Sequence, residues 1–210
     1  MVRRGGPEEG PEVFTIGHSN HPIGAFLALL ERHRTAAVAD VRSVPYSRRH
    51  PQFHRRALEQ SLGEHGIRYL FLGAELGART PDPSCYDDEG KVLFSRLAQS
   101  GLFLRGIGRV LDEAAHSRLA LLCAERDPAN CHRTILVAPV LRKRRAPVTH
   151  ILADGGLESQ EEVLDRLCAA SGMPPRDMFR TREEQREEAL ARRAREIAWT
   201  DPARARATGR

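Results

Sequence analysis

Short runs of consecutive apolar residues alternate along this chain with stretches in which apolar residues recur every three or four positions. The runs VFTIG (13–17), AAVADVR (36–42), IRYLFL (67–72), RLALLCA (118–124) and VTHIL (148–152) predict five strands. Between them, PIGAFLALLERH (22–33) predicts an amphipathic helix opened by a proline. FHRRALEQSLGEHG (53–66) sets Phe53, Ala57, Leu58 and Leu62 at helical spacing and has Gly66 as its stop. Further helical patterns cover 91–99, 103–116, 132–143 and 158–171, and Pro139 is expected to bend the 132–143 helix or end it early. The Gly-, Pro- and Asp-containing stretch 73–90 predicts a long loop.

Strands alternating with helices predict an α/β fold: one three-layer domain over 13–172, with a mostly parallel sheet of about five strands. Residues 1–12 predict a flexible leader and 201–210 a disordered end. Beyond 173 the pattern changes to Pro-Pro followed by a charge-rich helix, a helical appendage over 173–200. Its Glu/Arg pairs fall at three- and four-residue spacing, and Leu190, Ala194, Ile197 and Ala198 form a thin apolar stripe. That stripe suits docking on the domain or contact with a second copy in a homodimer.

Right-handed crossovers put the carboxyl ends of all parallel strands on one edge, where open α/β sheets bind ligands. The polar residues follow that rule. GHSN (17–20) comes after the first strand, DVRSVPYSRR (40–49) at the end of the second, and LGAELGART (72–80), with Glu75 and Arg79, after the third. CAERDPANCHR (123–133) follows the fourth strand, and the fifth carries His150.

Composition sets the frame for these groups. Of 210 residues, 40% are apolar, yet no apolar run is long enough to span a bilayer and the start lacks a signal-peptide core, so no membrane partner and a cytoplasmic location are expected. The cysteines at 85, 123, 131 and 168 are then expected to be reduced thiols. Net charge is +5 and the pI about 9.4, but the acids are interspersed with the bases, so charge alone does not decide for nucleic acid.

The loop 123–133 is the richest in chemistry. Asn130 is expected to cap a helix, which places Cys131, His132 and Arg133 in its first turn, where free amides and the helix dipole favour an anion. The same field favours a thiolate at Cys131. Arg42, Arg48 and Arg133, with Ser19, Ser43, Ser47 and the amides at Cys131 and His132, are the expected ligand-binding groups. Cys131 or Cys123 is the expected nucleophile or redox thiol, His18 the proton carrier, and Asp40 and Glu125 the groups that orient charge. A thiol phosphatase loop is excluded, because arginine is missing six positions after either cysteine: Ala129 and Val137 stand there.

TIGHSN (15–20), DVRSVPYSR (40–48), GIRYLFLGAELG (66–77) and LLCAERDPANCHR (121–133) together resemble the domain-of-unknown-function 488 family, with VTHIL a looser match. Ala78 stands where that family often has a second glycine. The resemblance implies a compact α/β domain and no settled activity. The leading expectation is therefore a site for a small anionic ligand, a phosphate of a nucleotide or nucleic acid, with thiol chemistry and no cofactor. One alternative is a non-catalytic nucleic-acid-binding module using RKRR (142–145) and the arginine-rich tail. The other is a metal site drawn from Cys123, Cys131, His132 and His18, which the seven residues between the two cysteines do not match to a known clip.

Overall fold

A computed structural model describes residues 10–205. Its strands are β1 (Val13–Gly17), β2 (Ala37–Asp40), β3 (Arg68–Phe71), β4 (Leu119–Cys123), β5 (Val148–Ile151) and β6 (Leu157–Ser159). They form one sheet in the order β3-β2-β4-β1-β5-β6, with all neighbours parallel except β6, which runs antiparallel to β5. The main helices are α1 (Ile23–Arg32), α2 (Arg55–Glu64), α3 (Gly101–His116), α4 (Ala138–Lys143), α5 (Gln160–Ala170) and α6 (Arg182–Ile197).

The apolar alternation of the strands sorts the helices into two layers. Leu119, Leu121 and Cys123 of β4 join a core with Phe103 and Ile107 of α3, Leu141 of α4 and Leu164 of α5. Ala120 and Leu122, one step out of phase, join Phe26 and Leu30 of α1 and Leu58 and Leu62 of α2 on the other face. The central strands β1, β2 and β4 are buried along their whole length, as a sheet covered on both sides requires. The three-layer α/β architecture therefore follows from the strand pattern.

Local differences from the sequence-based expectation have identifiable causes. Residues 157–159 pair with β5 before the chain turns helical, and the Ser159–Glu162 capping box starts α5 two residues later than the apolar periodicity suggests. Asn130 does not cap a helix: it ends a 3-10 turn, Pro128–Asn130, and the extended Cys131 occupies the capping position, its carbonyl accepting from Thr134 and Ile135. A π-helical turn, Arg133–Val137, follows and leads directly into α4. The wider turn in front of Pro139 accommodates its missing N–H, so the helical chain continues to Lys143 instead of ending early.

The ends of the chain are docked where they are described. Gly10 N–H donates to the Arg145 carbonyl at 2.8 Å, and Thr149 Oγ1 donates to Glu12 at 2.8 Å, so the leader is already held at residues 10–12. The rest of the leader, 1–9, and residues 206–210 lie outside the described residues. Residues Pro202–Ala205 form a helical turn, where disorder was expected. The apolar stripe of α6 is spent on the domain itself: Ala189 is buried in the core, with Leu190, Ala194 and Ile197 packed against it. Arg182 and Arg186 of α6 both pair with Asp165 of α5. The stripe is thus packed, at least in part, against the domain.

Candidate functional site

Three adjacent strand ends build the site. Pairing continues one step beyond the strands: His18 N–H donates to the Cys123 carbonyl at 2.9 Å, and Val41 N–H to the Leu122 carbonyl at 3.0 Å. His18, Val41 and Cys123 therefore leave the sheet side by side. Gly17 makes the close approach possible, since a Cβ there would lie 1.9 Å from the Glu125 carbonyl oxygen and 2.8 Å from Arg133 Nη1. A pocket of about 360 Å³ opens at this edge. His18, Cys123, Glu125 and His132 form its floor, while Arg42, Ser43 and Ser47 come from the loop after β2.

Arg42 is held by Asp40 in a buried bidentate pair, Nε to Oδ1 at 2.8 Å and Nη2 to Oδ2 at 2.6 Å. Tyr69 Oη donates to the same carboxylate at 2.8 Å. Burial, and then the Asp40 charge, push the Tyr69 phenol up, so it stays a donor at neutral pH. The Asp40 pair occupies two of the three guanidinium nitrogens of Arg42, and the residue still lines the pocket. Ser43 Oγ accepts from the Arg79 N–H and Ser47 Oγ from the His50 N–H, which leaves both hydroxyl protons free to donate.

His18 stacks on Phe53 with ring centroids 4.3 Å apart. Its Nδ1 lies 2.9 Å from the Ser19 carbonyl, an acceptor, so Nδ1 carries the proton and Nε2 is a bare acceptor. Burial lowers its pKa to about 4, which keeps the ring neutral at physiological pH.

The two cysteines of the loop converge on one carboxylate oxygen. Glu125 Oε2 is 2.9 Å from Cys123 Sγ and 3.0 Å from Cys131 Sγ. His132 Nδ1 is 3.4 Å from Cys123 Sγ and 3.9 Å from Cys131 Sγ, and its Nε2 donates to the Val41 carbonyl at 3.1 Å. All four ligating atoms fall within 4.8 Å of one another, a set able to hold a metal ion. Burial pushes the Cys123 thiol up. Burial acts the same way on Cys131, but the neighbouring Cys123 and the charges of Arg133 and His132 outweigh it and hold that thiol low. Burial, and then the neighbouring Cys131, raise Glu125.

Of the residues singled out from the sequence, the fold brings His18, Arg42, Ser43, Ser47, Cys123, Glu125 and His132 to the pocket. Cys131 lies behind its floor, only 1% exposed, and its amide donates to the Pro128 carbonyl, so that amide is not free for an anion. Arg133 is fully buried, donating to the Glu125 carbonyl at 2.8 Å and the Arg126 carbonyl at 3.4 Å. It braces the loop from below and does not reach the pocket surface. Ser19 and Arg48 stand outside the lining, and Asp40 acts only through Arg42.

Arg79, Ile197 and Trp199 also line the pocket, though none of them was among the site residues expected from the sequence. Arg79 sits over the Trp199 ring at 5.1 Å, and the Trp199 carbonyl accepts from Val92 N–H at 2.9 Å. The appendage is therefore one wall of the pocket. Arg79 carried a positional signal, being in a carboxyl-edge loop; Trp199 carried none.

The basic stretches of the rival reading are only partly paired with acids: among the described residues Lys143, Arg144 and Arg145 form no ion pair. Arg142 of RKRR pairs with Glu161 and Glu183, and in the tail Arg180 pairs with Glu188 and Arg193 with Glu196. Among the described residues no helix is long and apolar enough to cross a membrane. A family model described as domain of unknown function DUF488 matches residues 22–139, more than half of the chain. No curated protein and no solved structure matches it.

Proposed function

The chain belongs to the DUF488 family, and on that premise, which supplies a fold but no reaction, we propose that the carboxyl-edge pocket is the active site of an enzyme acting on a small anionic substrate. The observation that supports this reading is the meeting, in one pocket, of Arg42, Arg79 and two donor hydroxyls on the upper walls with a neutral, proton-accepting His18 on the floor. A volume near 360 Å³ suits a metabolite, since small-molecule sites run from roughly 300 to 1,000 Å³. Phosphate-backbone binding would use cations of RKRR and the tail, and none of these lines the pocket, so they do not account for the groups gathered there.

In this reading Arg42 and Arg79 hold the anionic group, a phosphate or carboxylate, with Ser43 and Ser47 donating to its remaining oxygens. The reacting end then faces Cys123, Glu125 and His132, and His18 Nε2 takes up the proton released there. Arg42 is prepositioned by Asp40, so it loses little freedom on binding.

Thermal shift with orthophosphate, phosphate monoesters and dicarboxylates tests the reading. The wild-type protein is expected to gain melting temperature with at least one class, and Arg79→Ala to lose that gain. A gain that survives Arg79→Ala, or none with any class, refutes the anion pocket; binding to oligonucleotides that falls steeply with salt would favour the nucleic-acid module instead.

A further inference from the structure

Two features of the floor stay unexplained by anion binding. Two thiols aim at a single carboxylate oxygen, and an imidazole aims its Nδ1 at both sulfurs. Cys131 has no access to the pocket, so it is no nucleophile toward a bound substrate. Its position does suit an inner ligand.

We propose that Cys123, Cys131 and His132, with Glu125 on the pocket side, bind a thiophilic divalent metal ion, zinc in the first instance. The spacing carries the proposal. Zinc–sulfur bonds of about 2.3 Å and zinc–nitrogen bonds of about 2.0 Å in a tetrahedron set neighbouring ligand atoms roughly 3.3 to 3.8 Å apart. The sulfur–imidazole separations are 3.4 and 3.9 Å, close to that edge. The sulfur–carboxylate separations of 2.9 and 3.0 Å are shorter than that edge, and a metal bound between these atoms would open them.

The outer contacts are those of a metal site. His132 Nε2 is tied to a carbonyl, so it carries a proton, and Nδ1 is the nitrogen left for the ion. The loop is fixed on both sides of the ligands, by Arg133 on the Glu125 and Arg126 carbonyls and by Asp127 Oδ1, which accepts from Ala129 N–H at 3.0 Å. Arg166 in turn pairs with Asp127.

Cys131 is sealed behind the floor, while Cys123, His132 and Glu125 line the pocket. Glu125 is the solvent-exposed member, so it is the ligand that exchanges with water or substrate. The thiols are then ligands, and the ion is the electrophile for the anionic substrate. On binding, each thiol gives up its proton to solvent as its sulfur forms the metal bond, with no change of oxidation state.

The site is tested on the full-length, fully reduced protein without a histidine tag. Zinc is expected to be retained at one equivalent through gel filtration. Cobalt(II) is expected to give the sulfur-to-metal charge-transfer absorption of thiolate ligation. That absorption is expected to fall by about half or more in Cys131→Ser and to be unchanged in Cys85→Ser and Cys168→Ser. Glu125→Gln is expected to keep it with at least tenfold weaker binding. In the wild-type chain, bound zinc is expected to slow alkylation of Cys123 and Cys131 at least tenfold, a readout that needs no variant to fold. Failure of the reduced protein to retain zinc, or a cobalt spectrum unchanged by Cys131→Ser, overturns the proposal. Because the readout is the metal alone, it fails or succeeds separately from the Arg79 test of anion binding.

Discussion

The imidazole of His132 is anchored to the main-chain carbonyl of Val41 by a 3.1 Å hydrogen bond between residues 91 apart in sequence. The contact joins the end of β2 to the start of the helical segment after β4, and it determines which ring nitrogen faces the sulfurs. Neighbouring strands hold the two partners in register, so the ring direction is a property of the sheet.

Gly17→Ala tests how tightly that edge is packed. A methyl group there would meet the Glu125 carbonyl, a main-chain atom that has little freedom to move aside. A loss of about 2 kcal/mol or more is expected in urea denaturation, with loss of cobalt binding if the loop shifts. Gly24→Ala, where nothing lies within 4 Å of the added group, is the control and is expected to be neutral or slightly stabilising.

Asp40→Asn separates a fixed arginine from a merely nearby one. The change leaves the buried Arg42 guanidinium without its counter-charge, which costs roughly 3–5 kcal/mol when one partner of a buried pair is removed. Tyr69→Phe removes only a neutral donor from the same carboxylate and is expected to cost about 1 kcal/mol. Comparable losses in the two variants would contradict the buried-pair description.

Acid is expected to destabilise the protein through two neutral histidines. Burial lowers His18 to about 4 and His150 to about 3, from an ordinary value of 6.5. The unfolded chain takes up these protons near 6.5 and the folded chain only near 4 and 3, so stability is complete above 6.5 and falls as the pH drops below it. Each ring accounts for on the order of 2–3 kcal/mol by pH 4.5. Urea titrations at several pH values measure the slope, and His150→Asn, which removes one titrating ring, is expected to make it shallower.

Trp199→Ala tests the wall supplied by the appendage. The indole is only partly buried and carries the Arg79 guanidinium. Its removal is expected to weaken anion-induced thermal shifts severalfold and to leave zinc retention unchanged. Equal loss of both would show that the tail acts on the fold as a whole.

Sequence reasoning reached the layers and the edge because both depend on short-range patterns. The alternation that puts Cys123 on one face and Leu122 on the other is written in β4 itself, and the crossover rule then placed His18, Arg42 and Glu125 together. It failed where a single dihedral or a distant segment decides. One extra extended residue, Cys131, moved the helix start and turned Arg133 inward. The seven residues between Cys123 and Cys131 match no continuous clip, so the metal site stood in the sequence only as an alternative. Here the 3-10 turn Pro128–Asn130 folds the loop back so that Glu125 completes the set, while His18 stays outside it. Trp199 was invisible because its place depends on the antiparallel bridge Lys91↔Thr200, which no local pattern announces.

One wall of the pocket comes from the C-terminal appendage, while most of its floor comes from the loop after β4. Ile197 and Trp199 stand beyond the family-matched segment, which spans residues 22–139, whereas Cys123, Glu125 and His132 lie inside it. Substitutions at Ile197 or Trp199 would therefore reshape the pocket mouth and leave the sulfur cluster beneath it in place.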